Sequence, residues 1–266
     1  MMDKLDEKAY KVFRSSLYPK FLATVDEAGV PNVVPVLTIK CADQQTLIFA
    51  RMMVWKTARN LESTHKATVV CMGAGMFVWT VKGDFVEFAK RGDYIEEYQK
   101  SFLFRYNAYA GAEQVGVIRI REVLLPYPVQ WLKTLSAQRA LSKIAEQSLS
   151  TNEKGVMPLQ VVNQFKRKSA LKYIAEVGAD SYPIASPAMA MFPTSRNKLI
   201  VSEHRAMAFA NNGKVSACVI TPDIIAYQIK GRWGDSFNKG KIRYREILVE
   251  EAYTASPPLP GKKIEK

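Results

Sequence analysis

Apolar residues in this chain recur mainly in short β-branched or aromatic runs, not at helical spacing. The runs "GVPNVVPVLTI" (29–39), "TLIFA" (46–50), "ATVVCM" (67–72), "FVWTVKG" (77–83) and "VIRIREVL" (117–124) are bounded by Gly, Pro, Asp and Asn. That is the punctuation of strands and turns. Alternation is clearest in the last run, where Val117, Arg119 and Arg121 share one face and Ile118, Ile120 and Val123 fall mostly on the other. Half-buried antiparallel strands fit this pattern. Pro31 and Pro35 lack an N–H for the ladder, which restricts their strand to a sheet edge or to unpaired positions. Between residues 131 and 147, "WLKTLSAQRALSKIAEQ" is rich in helix formers, although its leucines and isoleucine do not line one narrow stripe.

The same pattern occurs twice. "FLATVDEAGVPNVVPVLTI" (21–39) overlies "YIAEVGADSYPIASPAMAM" (173–191) without a gap at an offset of 152 residues, aligning Ala23 with Ala175, Pro31 with Pro183 and Pro35 with Pro187. The offset extends back to Phe13 and Phe165 and forward to "TLIFA" over "KLIVS". "KATVVCMGAGMFVWTVKG" (66–83) then overlies "KVSACVITPDIIAYQIKG" (214–231) at 148, and "IRIREVL" (118–124) overlies "IRYREIL" (242–248) at 124. The first drop in offset shortens the second copy between strands, opposite residues 51–66. The second gives the first copy an extra segment between Gly83 and Ile118, predicted to hold an added helix. Five or six strands closing on themselves make a small barrel. The predicted class is therefore mainly β with flanking helices: two tandem barrels forming a pseudo-dimer, with residues 1–125 as the first, 126–156 as a helical linker, 157–255 as a degenerate second and 256–266 as a flexible tail.

Composition narrows the function. The longest nearly unbroken apolar run, "VVCMGAGMFVWTV" (69–81), is 13 residues, short of the ~20 that a spanning helix needs. "MMDKLDEKAYKVF" has no apolar core or cleavage site of a secretory signal, so a cytoplasmic protein with no membrane partner is expected. Cys41, Cys71 and Cys218 form no CxxC pair and read as reduced, buried thiols. With only His65 and His204, there is nothing at ligand spacing from which to build a metal site. The net charge of +13 is dispersed, its densest clusters being "KRK" at 166–168 and the tail "GKKIEK". Without a basic motif interleaved with aromatics, the charge reads as a basic surface and argues against nucleic acid.

The candidate chemistry sits at "RMMVWKTARNL" (51–61), where an apolar strand runs into a helix start. Met53, Val54 and Trp55 supply no capping side chain, so an anion could take the cap's place. Taken alone, Lys56 and Arg59 read as the solvated face of an ordinary helix, and Trp55 as core or as a ligand contact. The order "FLATVDEAGVPNVVPV", "TLIFA", "KTARNL", "KATVVCM", "VKG", covering residues 10 to 90 or so, resembles the split-barrel FMN-binding superfamily of pyridoxamine 5′-phosphate oxidase and the flavin reductases. The resemblance implies FMN, its phosphate held by Lys56 and Thr57, with Arg51 reaching the phosphate or ribityl chain and Asn60 and Arg59 as weaker candidates. It places the isoalloxazine ring along Val34, Pro35, Val36 and Leu37, beside Ala50 and with Trp55 near.

In the second copy the corner reads "EHRAMAFANNG" (203–213), with Glu203 at the position of Arg51 and no Lys-Thr pair. A carboxylate repels a phosphate, so one flavin per chain is expected, covered by the second copy or, alternatively, by another chain in a homodimer. The resemblance leaves three activities open: an FMN-dependent oxidoreductase of unknown substrate or electron partner, a non-catalytic flavin carrier, and a haem or deazaflavin binder on the same fold. No Ser-His-Asp, Cys-His or paired-carboxylate arrangement supports hydrolysis. The histidine that a pyridoxamine phosphate site would need near the C-terminus is missing from "IRYRE".

Overall fold

The structure, a computed structural model, describes residues 3–99, 113–149, 154–203, 213–257 and 259–265. Its first half holds α1 (Glu7–Arg14), β1 (Lys20–Val25), β2 (Pro31–Pro35), β3 (Lys40–Cys41), β4 (Thr46–Ala50), α2 (Trp55–Thr64), β5 (Lys66–Met72), β6 (Phe77–Ala89), α3 (Asp93–Gln99), β7 (Val115–Val123) and β8 (Tyr127–Pro128). Helix α4 (Trp131–Ser148) then leads to α5 (Leu159–Lys166), β9 (Leu171–Val177), β10 (Pro183–Pro187), β11 (Met191–Ser195), β12 (Lys198–Ser202), β13 (Lys214–Ile220), β14 (Ala226–Lys239) and β15 (Ile242–Thr254).

Both halves are antiparallel sheets with one topology. The first runs β2-β1-β5-β6-β7-β4-β3, with β8 pairing β6, and the second runs β10-β9-β13-β14-β15-β12-β11. Registers repeat too: Phe21 faces Pro35 and Ala23 faces Val33, as Tyr173 faces Pro187 and Ala175 faces Ala185. The chain is thus a tandem duplication, mainly β, and β2 and β10 with their prolines are edge strands as expected. Strand β2 stops at Pro35, however, so Val36 and Leu37 lie in the turn that follows, not on the strand.

Each half has its own core. Phe13 of α1 packs with Leu22, Leu47, Phe49, Ile118 and Ile120, while Phe165 of α5 packs with Ile174, Leu199, Val201, Ile229 and Ile247. The arginines of β7 face outward, as their alternation predicts. Val117 is nevertheless buried, because α3, inside the added segment, covers that outer face with Ile95 and Tyr98. Residues 100–112 of that segment lie outside the described residues. Helix α4 packs on the second sheet through Ala137, Leu141 and Ala145, while Leu132 stays exposed. Leu141 is the one leucine in its buried stripe, which is why its leucines did not reveal it.

The two sheets meet face to face. Phe21 and Tyr173, equivalent by the repeat and both fully buried, stack with centroids 3.7 Å apart and planes 19° apart. A residue meeting its own equivalent is the signature of a two-fold axis. Around it, Ala23, Val33, Val70, Ala175, Ala185 and Cys218 form a third apolar cluster shared by both halves. Burying each ring of the stacked pair stabilises the seam by roughly 1.5–3 kcal/mol. Reciprocal ion pairs flank it: Lys82 to Asp180 at 2.7 Å, and its equivalent Lys230 to Asp26 at 4.0 Å. The glycine after each of these lysines sits at a bulge, where a Cβ on Gly83 would stand 2.7 Å from the Arg119 carbonyl oxygen and one on Gly231 2.0 Å from that of Leu248. Only glycine admits so close a backbone approach. The three cysteines are buried and free, and no helix among the described residues is long and apolar enough to cross a membrane.

Candidate functional site

Strand β4 hands over to α2 through a tight corner. The Met52 N–H bonds back to the Ala50 carbonyl, and Met53 adopts φ 54°, a left-handed conformation that costs a non-glycine residue of order 1 kcal/mol or more. Helix α2 starts after Val54 with no side-chain cap and no acid in its first turn. Its positive end is therefore left without a side-chain partner.

Lys56 and Thr57 stand on that first turn, at the seam between the halves. The Lys56 ammonium donates to Gln228 Oε1 at 2.5 Å and lies 3.5 Å from the centroid of the Tyr253 ring, both on the second sheet. Burial and the like charge of Lys230 lower its pKa to about 7, against the pull of Glu251 and Asp26. Thr57 is buried and accepts a hydrogen bond from the Asn32 amide at 3.1 Å, and Asn32 also reaches Thr24 at 3.3 Å. The Gln228 amide nitrogen in turn lies 3.0 Å from Asn32 Oδ1, 2.8 Å from the Val33 carbonyl and 3.1 Å from Ser216 Oγ. A buried polar network therefore ties β2, α2, β13 and β14 together beneath the ammonium.

Of the other predicted residues, Val34, Pro35 and Trp55 join Lys56 and Thr57 around a narrow cavity of about 30 Å³. Trp55 is 69% exposed, which overturns the reading of it as core. Leu37 and Met53 are exposed nearby, whereas Val36 and Ala50 are buried, the Ala50 N–H bonding to Thr38 Oγ1 at 3.2 Å. Asn60 turns inward and donates to Thr24 Oγ1 at 3.1 Å. Arg51 belongs to a different set: it pairs with Glu62 at 3.4 Å, bonds Gln114 and lies 4.3 Å from the Phe88 ring centroid, all in the first half. Arg59 is exposed on α2. The cavity's far wall is the chain's own end, Ala255, Pro260 and Gly261, folded back by bonds from Gly261 N to Thr254 O and from Ile264 N to Ala252 O.

Residues 6–131 match the family model described as pyridoxamine 5′-phosphate oxidase. The match spans the first half of the chain. No curated protein matches the chain. Among solved structures it is similar to HupZ of Group A Streptococcus, at 20% identity over 46% of this chain and 98% of that one, with a TM-score of 0.39. It is also similar to an FMN-binding protein from Syntrophomonas wolfei, at 18% identity over 46% and 86% with a TM-score of 0.40. A third is HutZ, the heme storage protein from Vibrio cholerae, at 17% identity over 41% and 85% with a TM-score of 0.32.

The half that matches this family model carries the Lys-Thr corner, and the second half carries its partners. Gln228 and Tyr253 were missed by sequence reasoning. The signal for Gln228 was available, since "AYQIKG" sets a glutamine, 1% exposed, where "VWTVKG" has Thr80. In the second half, Glu203 is held by Arg243 at 2.9 Å and Arg245 at 3.2 Å, both from "IRYRE", and accepts from Ser236 at 2.6 Å. Arg205 and His204 lie outside the described residues.

Proposed function

We propose that the chain binds one FMN at the Lys56 corner and works as a flavin-dependent oxidoreductase. The observation that carries this reading is the convergence of a half-buried ammonium, a buried hydroxyl and an uncapped helix start at the seam. That donor set fits a phosphate dianion, which would accept from Lys56, Thr57 and the α2 amides together. Lys56 already carries a desolvation penalty that an anion would offset. When bound, the flavin ring would supply hydride or electron transfer.

The residues around it have distinct tasks. Asn32 orients the Thr57 hydroxyl, and Gln228 holds the ammonium until a phosphate oxygen replaces its carbonyl. Trp55, Met53 and Leu37 offer exposed apolar surface on which a planar ring can rest. Tyr253 closes the ammonium off from water, which strengthens its hold on an anion. The present cavity has room for about one water molecule. Entry of the phosphate therefore requires the folded-back end at Pro260 and Gly261 to move. A haem would need an axial histidine: His65 caps α2 with its Nδ1 3.1 Å from the Phe85 carbonyl oxygen, and His204, the one near the second copy's corner, lies outside the described residues.

The test is a visible spectrum of the purified protein, with flavin counted after denaturation and FMN added back if the protein is colourless. One FMN per chain, lost in Lys56→Ala and retained when Arg205 is changed, is the expected result. Equal occupancy in the Lys56 variant rules out the site.

A further inference from the structure

A second cavity lies on the first half away from the seam. It is a groove of about 660 Å³ between α1 and the start of β6, within the ~300–1,000 Å³ of small-molecule sites. Its lining residues include Lys8, Lys11, Val12, Tyr18, Phe77 and Trp79. Phe77 is 40% exposed, leaving part of its ring open to the groove and to solvent. Trp79 lines the groove at 8% exposure, its indole N–H buried and without an acceptor among the described residues. The charges are also uneven. Asp6 is occupied in capping the Ala9 N–H at 2.7 Å and Lys11 pairs with Glu7 at 2.7 Å, whereas Lys8 makes no ion pair among the described residues.

The duplication supplies an internal control. At the repeat offsets, Lys8 and Lys11 become Gln160 and Asn163, Tyr18 becomes Ala170, and Phe77 and Trp79 become Ile225 and Tyr227. Ser15 and Gly75 become Arg167 and Asp223, and those two form an ion pair at 2.8 Å that bridges the equivalent place. The same architecture is therefore stable with the groove bridged by an ion pair, without the two lysines and with an aliphatic side chain in place of Phe77. Openness, the ring of Phe77 and the two lysines are found in the first half alone, and general stability of the fold does not require them.

We propose that this groove is a binding site for a planar aromatic anion, its ring lying against Phe77 and Trp79 and its carboxylate or phosphate meeting Lys8 and Lys11. The ring contacts supply area and the quadrupole geometry of stacked aromatics, and the anion receives a charge-assisted bond. This site is independent of the flavin reading, since it shares no residue with the Lys56 corner.

The experiment is calorimetric titration of the full chain with 2-naphthoate and, as the uncharged counterpart, 2-naphthylmethanol. Wild type is expected to bind naphthoate at one site per chain, with the alcohol about tenfold weaker or worse. Two variants carry the second half's own residues, Lys8→Gln with Lys11→Asn, and Phe77→Ile. Each change is at an exposed side chain, and circular dichroism verifies the fold. Each variant is expected to lose about tenfold or more in naphthoate affinity, while Lys56→Ala is expected to bind as wild type does. No saturable binding by wild type, equal binding by the variants, or loss in Lys56→Ala would each overturn the proposal. Equal affinity for the alcohol would overturn the anionic part.

Discussion

If the Lys56 ammonium holds the flavin phosphate, FMN affinity falls steeply between pH 7 and pH 9. Burial, with the positive charge of Lys230 beside it, brings the free lysine's pKa down from 10.5 to about 7. The sign follows from which form binds. Only the protonated amine attracts a dianion, and a bound phosphate raises the lysine's pKa, so binding takes up a proton wherever the free lysine is neutral. The protonated fraction is about one half at pH 7 and about 1% at pH 9, so the apparent Kd rises about 50-fold across the window. The phosphate's own second ionisation, near pH 6, is complete over that range and does not offset the effect. The assay is quenching of flavin fluorescence at pH 7, 8 and 9. Riboflavin, lacking the phosphate, serves as one control and Lys56→Met as the other. Lys56→Met keeps most of the packing on Tyr253 but should bind FMN about 10- to 100-fold more weakly at pH 7, and with no pH dependence from this residue. A flat profile for wild type, or the same slope in Lys56→Met, refutes the assignment.

Three further outcomes follow. Gly231→Ala should cost about 2 kcal/mol or more of stability by denaturant titration, because the new Cβ meets the Leu248 carbonyl oxygen at 2.0 Å and backbone cannot yield as a side chain does; a midpoint within error of wild type contradicts the bulge geometry. Lys172, fully buried with its ammonium 2.7 Å from the Met191 carbonyl oxygen, titrates at about 7 in the fold against 10.5 unfolded. The unfolded chain holds that proton through a window in which the fold releases it, so stability rises by about 1.4 kcal/mol per pH unit above pH 7, and Lys172→Met should remove that increment between pH 7 and 8.5. Ending the chain at Ala255 removes Pro260 and Gly261 from the corner cavity and should speed FMN association severalfold in stopped flow; an unchanged or slower rate means that the tail does not obstruct the site.

Much of the fold was legible because strand registers depend on local chemistry. Paired prolines at 31 and 35 and at 183 and 187, and the glycines of "VKG" and "IKG", mark edges and bulges wherever they occur, and the matching strands carry the same registers in both halves. The Lys-Thr pair was legible for a similar reason, as it follows a strand directly and opens a helix. What stayed hidden depends on how the halves dock. Arg51 could not be separated from the corner by spacing, since its partners Glu62, Gln114 and Phe88 come from three places in the chain. The buried face of α4 has one leucine, Leu141, among Ala137, Gln138, Ser142 and Ala145, a set that carries little periodic signal.

Gln228 shows most clearly why a site at a seam resists sequence reading. Were the pair a homodimer of first halves, the residue facing Lys56 would be the equivalent of Gln228, which is Thr80. Threonine is shorter than glutamine by two heavy atoms along the chain. It could not both accept from the ammonium at 2.5 Å and reach Asn32 and Val33 beneath it. Fusing the copies lets one half keep the cation while the other supplies a longer acceptor, and lets Glu203 sit with Arg243 and Arg245 where the first half has Arg51. The physical content of the duplication is thus an asymmetric seam. A single lysine is desolvated by groups that its own half does not possess, and those groups are found only by asking what the other copy places opposite it.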